Sequence, residues 1–194
     1  MIIIPERQLV IITPPRTGST ALREAVRDKF PEAFFPYRHM EADGVPFGYD
    51  RWQRIGVVRQ PLDRLWSLYK YCQVTTSGTM RWRKEMRDST SVPFEEWLLN
   101  NTAVFTNPYT LTTWTRHSPQ YAVRHYLPEN KKSQFIYVRP DLGVELKSLR
   151  NVQDILGIEV PRLNESSILP MPVLTKEGER HLWDHFAWDM EAVR

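Results

Sequence analysis

The chain has 194 residues, 41% hydrophobic and 25% charged, and its 26 Lys and Arg against 23 Asp and Glu give a formal charge of +3. This composition is too apolar for a disordered chain, and the charge is too weakly basic to argue by itself for a polyanion-binding protein. Cys72 is the single cysteine, so neither an intrachain disulfide nor a Cys-based metal site can form.

A chain of this length fits one domain, residues 1–194, in which folding buries about 70% of the unfolded surface. It opens "MIIIPERQ", whose apolar stretch stops at Pro5, and no later run approaches the roughly 20 apolar residues of a membrane span. The expectation is a soluble, cytoplasmic protein.

In chain order, the first β-branched run is "LVIIT" at 9–13, short enough for a buried strand. "TALREAVRDKF" at 20–30 follows as a helix, with Ala21, Leu22, Ala25, Val26 and Phe30 on one face and Pro31 as its stop. The segment 31–53 reads as a long loop or lid. "RIGVV" at 54–58 is the second strand. Pro61 then starts a helix in which Leu62, Leu65, Trp66, Tyr69 and Cys72 share a face.

The stretch 74–92 is another long loop. Helices are expected at 94–100, 108–127 and 143–156, the last apolar at Leu146, Leu149, Ile155 and Leu156 and capped by Gly157. "QFIYV" at 134–138 is the third strand. A final helix over 175–192 has Thr175 as its cap, with Gly178 where a capping box wants Glu, and a buried face of Leu182, Trp183, Phe186, Ala187 and Met190. Strands alternating with helices predict an α/β domain with a mainly parallel sheet.

The first strand breaks into Pro14-Pro15-Arg16-Thr17-Gly18-Ser19-Thr20 and enters a helix. Such a junction offers backbone N–H groups, hydroxyls and a guanidinium at a helix N-terminus, which together form an anion cradle. The competing explanation is a capped helix start, with Thr17 or Ser19 satisfying orphan N–H groups. No Lys follows Gly18 and no second glycine precedes it at the spacing of G-x-x-x-x-G-K-[ST], so an ordinary ATP or GTP site is not indicated.

A second segment, "VVRQPLDRLWSLYKY", puts Arg59 at the carboxyl end of a strand and Ser67 eight positions on, two turns into the next helix. Ligands of open α/β sheets gather at that edge, and an Arg and a Ser there can converge on a further phosphate. Arg64 shares a helical face with Ser67 and is a candidate to assist there, although its default role is a solvated surface charge. Two anion sites on neighbouring strands suit a ligand phosphorylated at two separated places.

"TPPRTGSTAL" followed by "VVRQPLDRLWSLYKY" resembles the paired motifs of sulfotransferases that use 3′-phosphoadenosine 5′-phosphosulfate, PAPS, most closely those acting on carbohydrates and glycans. Weaker similarities follow in the family's order at "PFEEWL" (93–98), "HSPQYAV" (117–123), "FIYVRPDL" (135–142), "NVQDILGI" (151–158), "RLNES" (162–166) and "HFAWDMEAV" (185–193), covering nearly the whole chain. The resemblance implies a P-loop-NTPase-like, three-layer α/β fold. It assigns Arg16, Thr17, Gly18, Ser19 and Thr20 to the 5′ end of the donor and Arg59 and Ser67 to the 3′-phosphate. Many family members carry Lys at the position of Arg16, and some carbohydrate sulfotransferases carry Arg.

Sulfuryl transfer needs positioning, stabilisation of developing negative charge and removal of the acceptor's proton, with no metal. Arg16, Ser19 and Thr20 are expected to serve the second requirement. For the third, His39 in "YRHMEADG" is the first candidate base, and Glu41 the runner-up because other branches use Glu. His117 is a further candidate for the acceptor site.

Arg81, Arg83, Lys84 and Arg87 around Trp82 form a basic stretch, and Trp52, Trp82 and Trp114 are candidate stacking platforms. The expected partner is a hydroxyl-bearing acceptor on a sugar or glycan, with no nucleic acid and no membrane span, in a minimal catalytic domain lacking a membrane anchor. A small-molecule kinase, a nucleotide- or polyanion-binding module, and a sulfotransferase fold without catalysis are the alternatives.

Overall fold

The computed structural model describes residues 1–36, 40, 42–49, 51–74, 84, 87–88, 90–99, 142–161, 170–191 and 193. Its elements are β1 (Ile2–Ile4), β2 (Leu9–Ile12), α1 (Ser19–Lys29), β3 (Gln53–Val58), α2 (Pro61–Val74), α3 (Phe94–Leu99), β4 (Glu145–Ser148), α4 (Leu149–Leu156) and α5 (Lys176–Glu191), with 3-10 turns at Pro5–Arg7 and Ala42–Gly44. Among the described residues these strands form one sheet in the order β1-β2-β3-β4. β1 runs antiparallel to β2, whereas β2, β3 and β4 are parallel. The predicted α/β class with a mainly parallel sheet is observed.

The period of two along the strands divides the core. Ile2, Ile4, Leu9, Ile11, Ile55 and Val57 pack with Leu22, Val26 and Phe30 of the α1 segment and with Val152 and Leu156 of α4. Ile3, Val10, Ile12 and Val58 face the other way, onto Leu65, Leu68, Tyr69 and Cys72 of α2, Phe94, Trp97 and Leu98 of α3, and Leu182 of α5. The sheet therefore lies between two helical layers. Burial on both faces is why β2 is apolar without alternation.

β1 is not among the strands expected from the sequence. "III" is short, but Ile2, Ile3 and Ile4 pair with Ile11, Val10 and Leu9. On its other side Ile3 exchanges two backbone hydrogen bonds of 3.0 Å with Phe34. That segment, placed in a loop by its composition, satisfies a sheet edge that would otherwise be open.

The helix expected over 143–156 is two elements. Residues 145–148 pair with β3 in the register Ile55↔Glu145 to Val58↔Ser148, and the helix begins only at Leu149. "ELKS" has little intrinsic strand preference; its partner strand decides its conformation. Ser148 ends the strand and caps the helix, its side chain accepting from Asn151 N at 3.2 Å. Gly157 closes α4 in the left-handed region, as predicted. Val152 and Leu156 are the buried residues of this helix, and Ile155 is exposed.

The N-terminus of α5 completes its cap from another helix. Gly178 N donates to Thr175 Oγ1, and the reciprocal acceptor for Thr175 N is Glu95 Oε1 of α3 at 3.0 Å. A Cβ at Gly178 would meet Glu95 Oε1, so a larger residue there requires the Glu95 carboxylate to shift. On the same helix Leu182 is buried, whereas Trp183 is exposed, against expectation. The predicted helix over 108–127 and strand over 134–138 lie outside the described residues. No helix among the described residues is long and apolar enough to cross a membrane.

Glu95→Ala should lower unfolding stability by about 1 kcal/mol, the typical effect of losing a cap, as read by urea denaturation. Gly178→Glu should destabilise the wild-type chain but cost less in the Glu95→Ala background, where the clash is gone. A double-mutant cycle gives that coupling directly.

Candidate functional site

The carboxyl ends of β2 and β3 open onto the loop before α1 and the turn before α2. Thr13 and Thr17 are buried in the first of these. Thr17 Oγ1 donates to Pro14 O at 2.7 Å, so this hydroxyl braces the loop and does not cap the helix. The cap position is Gly18, at φ 84° and ψ 16°, which offers no side chain to the first turn of α1. Thr17 and Ser19 flank the cap position and do not occupy it, so the helix start is not capped in the way that explanation expects.

Gly18 is needed for two reasons. A positive φ disfavours any side chain, and a Cβ here would stand 2.7 Å from Leu149 Cδ2, at the first residue of α4. Ser19 begins α1 and is buried, and Thr20 is half-buried beside it.

Arg16 has the opposite difficulty: it sits at φ 66° and is not glycine. Its side chain is held firmly. Nε and Nη2 donate to Ser67 Oγ at 3.1 and 2.9 Å, and the guanidinium lies 4.9 Å from the centre of the Tyr71 ring. Arg16 and Ser67, expected at opposite ends of one ligand, are bonded to each other. Ser67 Oγ accepts both bonds, which leaves its own hydrogen to donate elsewhere.

Arg59 follows directly on β3 and donates through Nη1 to Arg16 O at 3.2 Å. Arg64, read as a solvated charge, is instead 1% exposed, and its Nη1 lies 3.5 Å from Pro15 O. The signal for it was present, because Arg64, Ser67 and Tyr71 recur at helical spacing and share a face of α2. The opposite side of α2 is fixed by aromatic packing. Trp66 stacks on Tyr69 at 5.6 Å, Tyr69 meets Phe94 and Trp97 edge-on at 5.4 Å, and Tyr69 Oη donates to Val92 O at 2.6 Å.

The site is electropositive. Burial lowers the pKa of Arg16, offset in part by Tyr71 and reinforced by the charge of Arg59. Burial likewise lowers Arg59, with Asp63 opposing and Arg64 adding to the effect. Like charges gathered out of water are costly, and an anion bound among them relieves that cost.

Of the predicted site residues, Arg16, Thr17, Gly18, Ser19, Thr20, Arg59 and Ser67 lie on this loop and the adjoining β3–α2 segment. His39, Glu41, His117, Trp82 and Trp114 lie outside the described residues. Trp52 does not reach the site. It precedes β3 and packs edge-on against Tyr49 at 4.7 Å, at the amino end of a strand about 20 Å long. Comparison with protein families, with characterised proteins and with solved structures returns no match for this chain, so its residues carry the functional argument.

Cys72 lies beneath the site, fully buried, and burial pushes its thiol up to about 12 despite the opposing charge of Arg16. The folded value lies above the unfolded one of about 8.5. The buried neutral thiol therefore contributes stability that is complete below that unfolded value and is lost as pH rises toward 12. A disulfide reagent at pH 8 should leave the native protein unlabelled and titrate one thiol in denaturant. Gly18→Ala should cost about 1–3 kcal/mol through its strained backbone, measurable by thermal or urea unfolding.

Proposed function

We propose that this chain is a sulfotransferase that moves a sulfuryl group from PAPS to an acceptor hydroxyl on a sugar or glycan, on a P-loop-NTPase-like fold. The observation that carries the reading is the junction of its two motifs. Arg16 of the first is hydrogen-bonded to Ser67 of the second, and Arg59 to the backbone of Arg16, at the carboxyl edge of parallel strands. A ligand with anionic groups at two separated places fits that edge.

The donor's 5′ end lies along Arg16, Thr17, Gly18, Ser19 and Thr20, where backbone N–H groups and the Ser19 and Thr20 hydroxyls donate to its oxygens. The 3′-phosphate takes Arg59 and the spare hydrogen of Ser67. In the reaction the acceptor oxygen forms a bond to sulfur as the bond from sulfur to the 5′-phosphate oxygen breaks. The acceptor's proton passes to His39, with Glu41 as the alternative base, and 3′-phosphoadenosine 5′-phosphate leaves. Fixed donors aimed at the leaving oxygens stabilise charge without reorganising. No step uses a metal.

Isothermal calorimetry with 3′-phosphoadenosine 5′-phosphate, against ATP with magnesium and AMP, tests the cofactor. Binding should require the 3′-phosphate, and Arg59→Ala should weaken it about 10- to 100-fold, the value of one hydrogen bond to a charged group. A preference for ATP, or an Arg59→Ala variant that binds as well as wild type, refutes the assignment. His39→Ala should lower turnover at least about 100-fold while leaving nucleotide affinity unchanged. If most of the rate survives, the base is Glu41 or another group.

A further inference from the structure

We infer that Arg64 is a positioning residue that shapes the anion cradle of the β2–α1 loop from behind, through the backbone of Pro15. For its natural ligand this inference rests on the sulfuryl-transfer reading; for the cradle itself it rests on the loop's own geometry. Arg64 lies on α2, is 1% exposed, and directs Nη1 toward Pro15 O at 3.5 Å. Arg59, five positions earlier, holds the next carbonyl, Arg16 O, at 3.2 Å. Two consecutive carbonyl oxygens of the loop are thus turned toward guanidiniums of the second segment.

The consequence follows from peptide geometry. The 15–16 and 16–17 peptides are trans, and in a planar trans peptide the N–H points opposite to the C=O. With the oxygens of Pro15 and Arg16 drawn toward Arg64 and Arg59, the N–H groups of Arg16 and Thr17 are directed away from those guanidiniums. Arg16 sits between them in the left-handed region, at φ 66°. Turns of that kind bring successive N–H groups to one side and form an anion-binding concavity.

Arg16 cannot hold a positive φ for its own benefit, because a residue with a Cβ is strained there. The carbonyl contacts from Arg59 and Arg64 oppose the strain. Without Arg64 the 15–16 peptide is free to rotate, and a carbonyl oxygen can then face the anion where an N–H is needed. The buried charge on Arg64 thus acts on the 5′ end of the ligand, although its residue neighbours those assigned to the 3′ end.

Arg64→Met and Arg64→Lys, compared with wild type by calorimetry, test this. The ligands are 3′-phosphoadenosine 5′-phosphate, adenosine 3′-monophosphate, which has no 5′-phosphate, and inorganic pyrophosphate. Arg64→Met should bind 3′-phosphoadenosine 5′-phosphate and pyrophosphate at least about tenfold more weakly and adenosine 3′-monophosphate within about twofold of wild type. Arg64→Lys, which keeps charge but not the planar fork, should fall between. Thermal melting verifies folding, and Arg64→Lys stands in if Arg64→Met does not fold.

Equal affinity of variants and wild type for 3′-phosphoadenosine 5′-phosphate overturns the inference, as does an equal loss for all ligands, which would mark Arg64 as general scaffold. If wild type ignores the nucleotides but binds pyrophosphate in an Arg64-dependent way, the sulfotransferase reading fails and the positioning role stands. If wild type binds none of the ligands, both fail.

Discussion

The site depends on one constraint: a short loop must hold a non-glycine residue at positive φ and turn two adjacent carbonyls inward. Neither is favourable for an isolated chain. Both are met because the loop leans on another part of the molecule. Arg59 and Arg64 reach Arg16 O and Pro15 O, and the Arg16 side chain reaches back to Ser67 and Tyr71. The contacts run in both directions between the β2–α1 loop and the β3–α2 segment, so the geometry of either depends on the other.

The rest of the fold keeps those two segments in register. β2 and β3 pair in parallel and set the ends of both strands at one edge. α2 is held from the other side by the aromatic group of Trp66, Tyr69, Phe94 and Trp97, which fixes the rotation of the helix and hence the direction of Arg64 and Ser67. α4 closes the far wall, where Leu149 Cδ2 would lie 2.7 Å from a Cβ at position 18. Apolar burial on two faces of the sheet thus supports a polar site at its edge, as α/β folds commonly arrange.

Much of this was legible beforehand where the signal was local. The periodicity of residues 20–30 and 61–72 located α1 and α2 to within a residue or two. The Pro-Arg-Thr-Gly-Ser-Thr sequence marked the loop, and Thr175 marked the start of α5. Local reading failed where a distant partner decided the outcome. "ELKS" is a strand because β3 lies beside it. "III" is a strand because β2 and Phe34 flank it. The missing Glu of the α5 capping box is supplied by Glu95 of another helix.

By itself the sequence determined the α/β class, the β2–α1 and β3–α2 junctions, and the two segments rich in anion-binding groups, because hydrophobic period and side-chain chemistry are properties of neighbouring residues. Only the tertiary structure decided that Arg64 is buried behind the loop and that Arg16 rests on Ser67. Both outcomes depend on which face of α2 meets the loop, and that is set by packing between elements far apart in the chain.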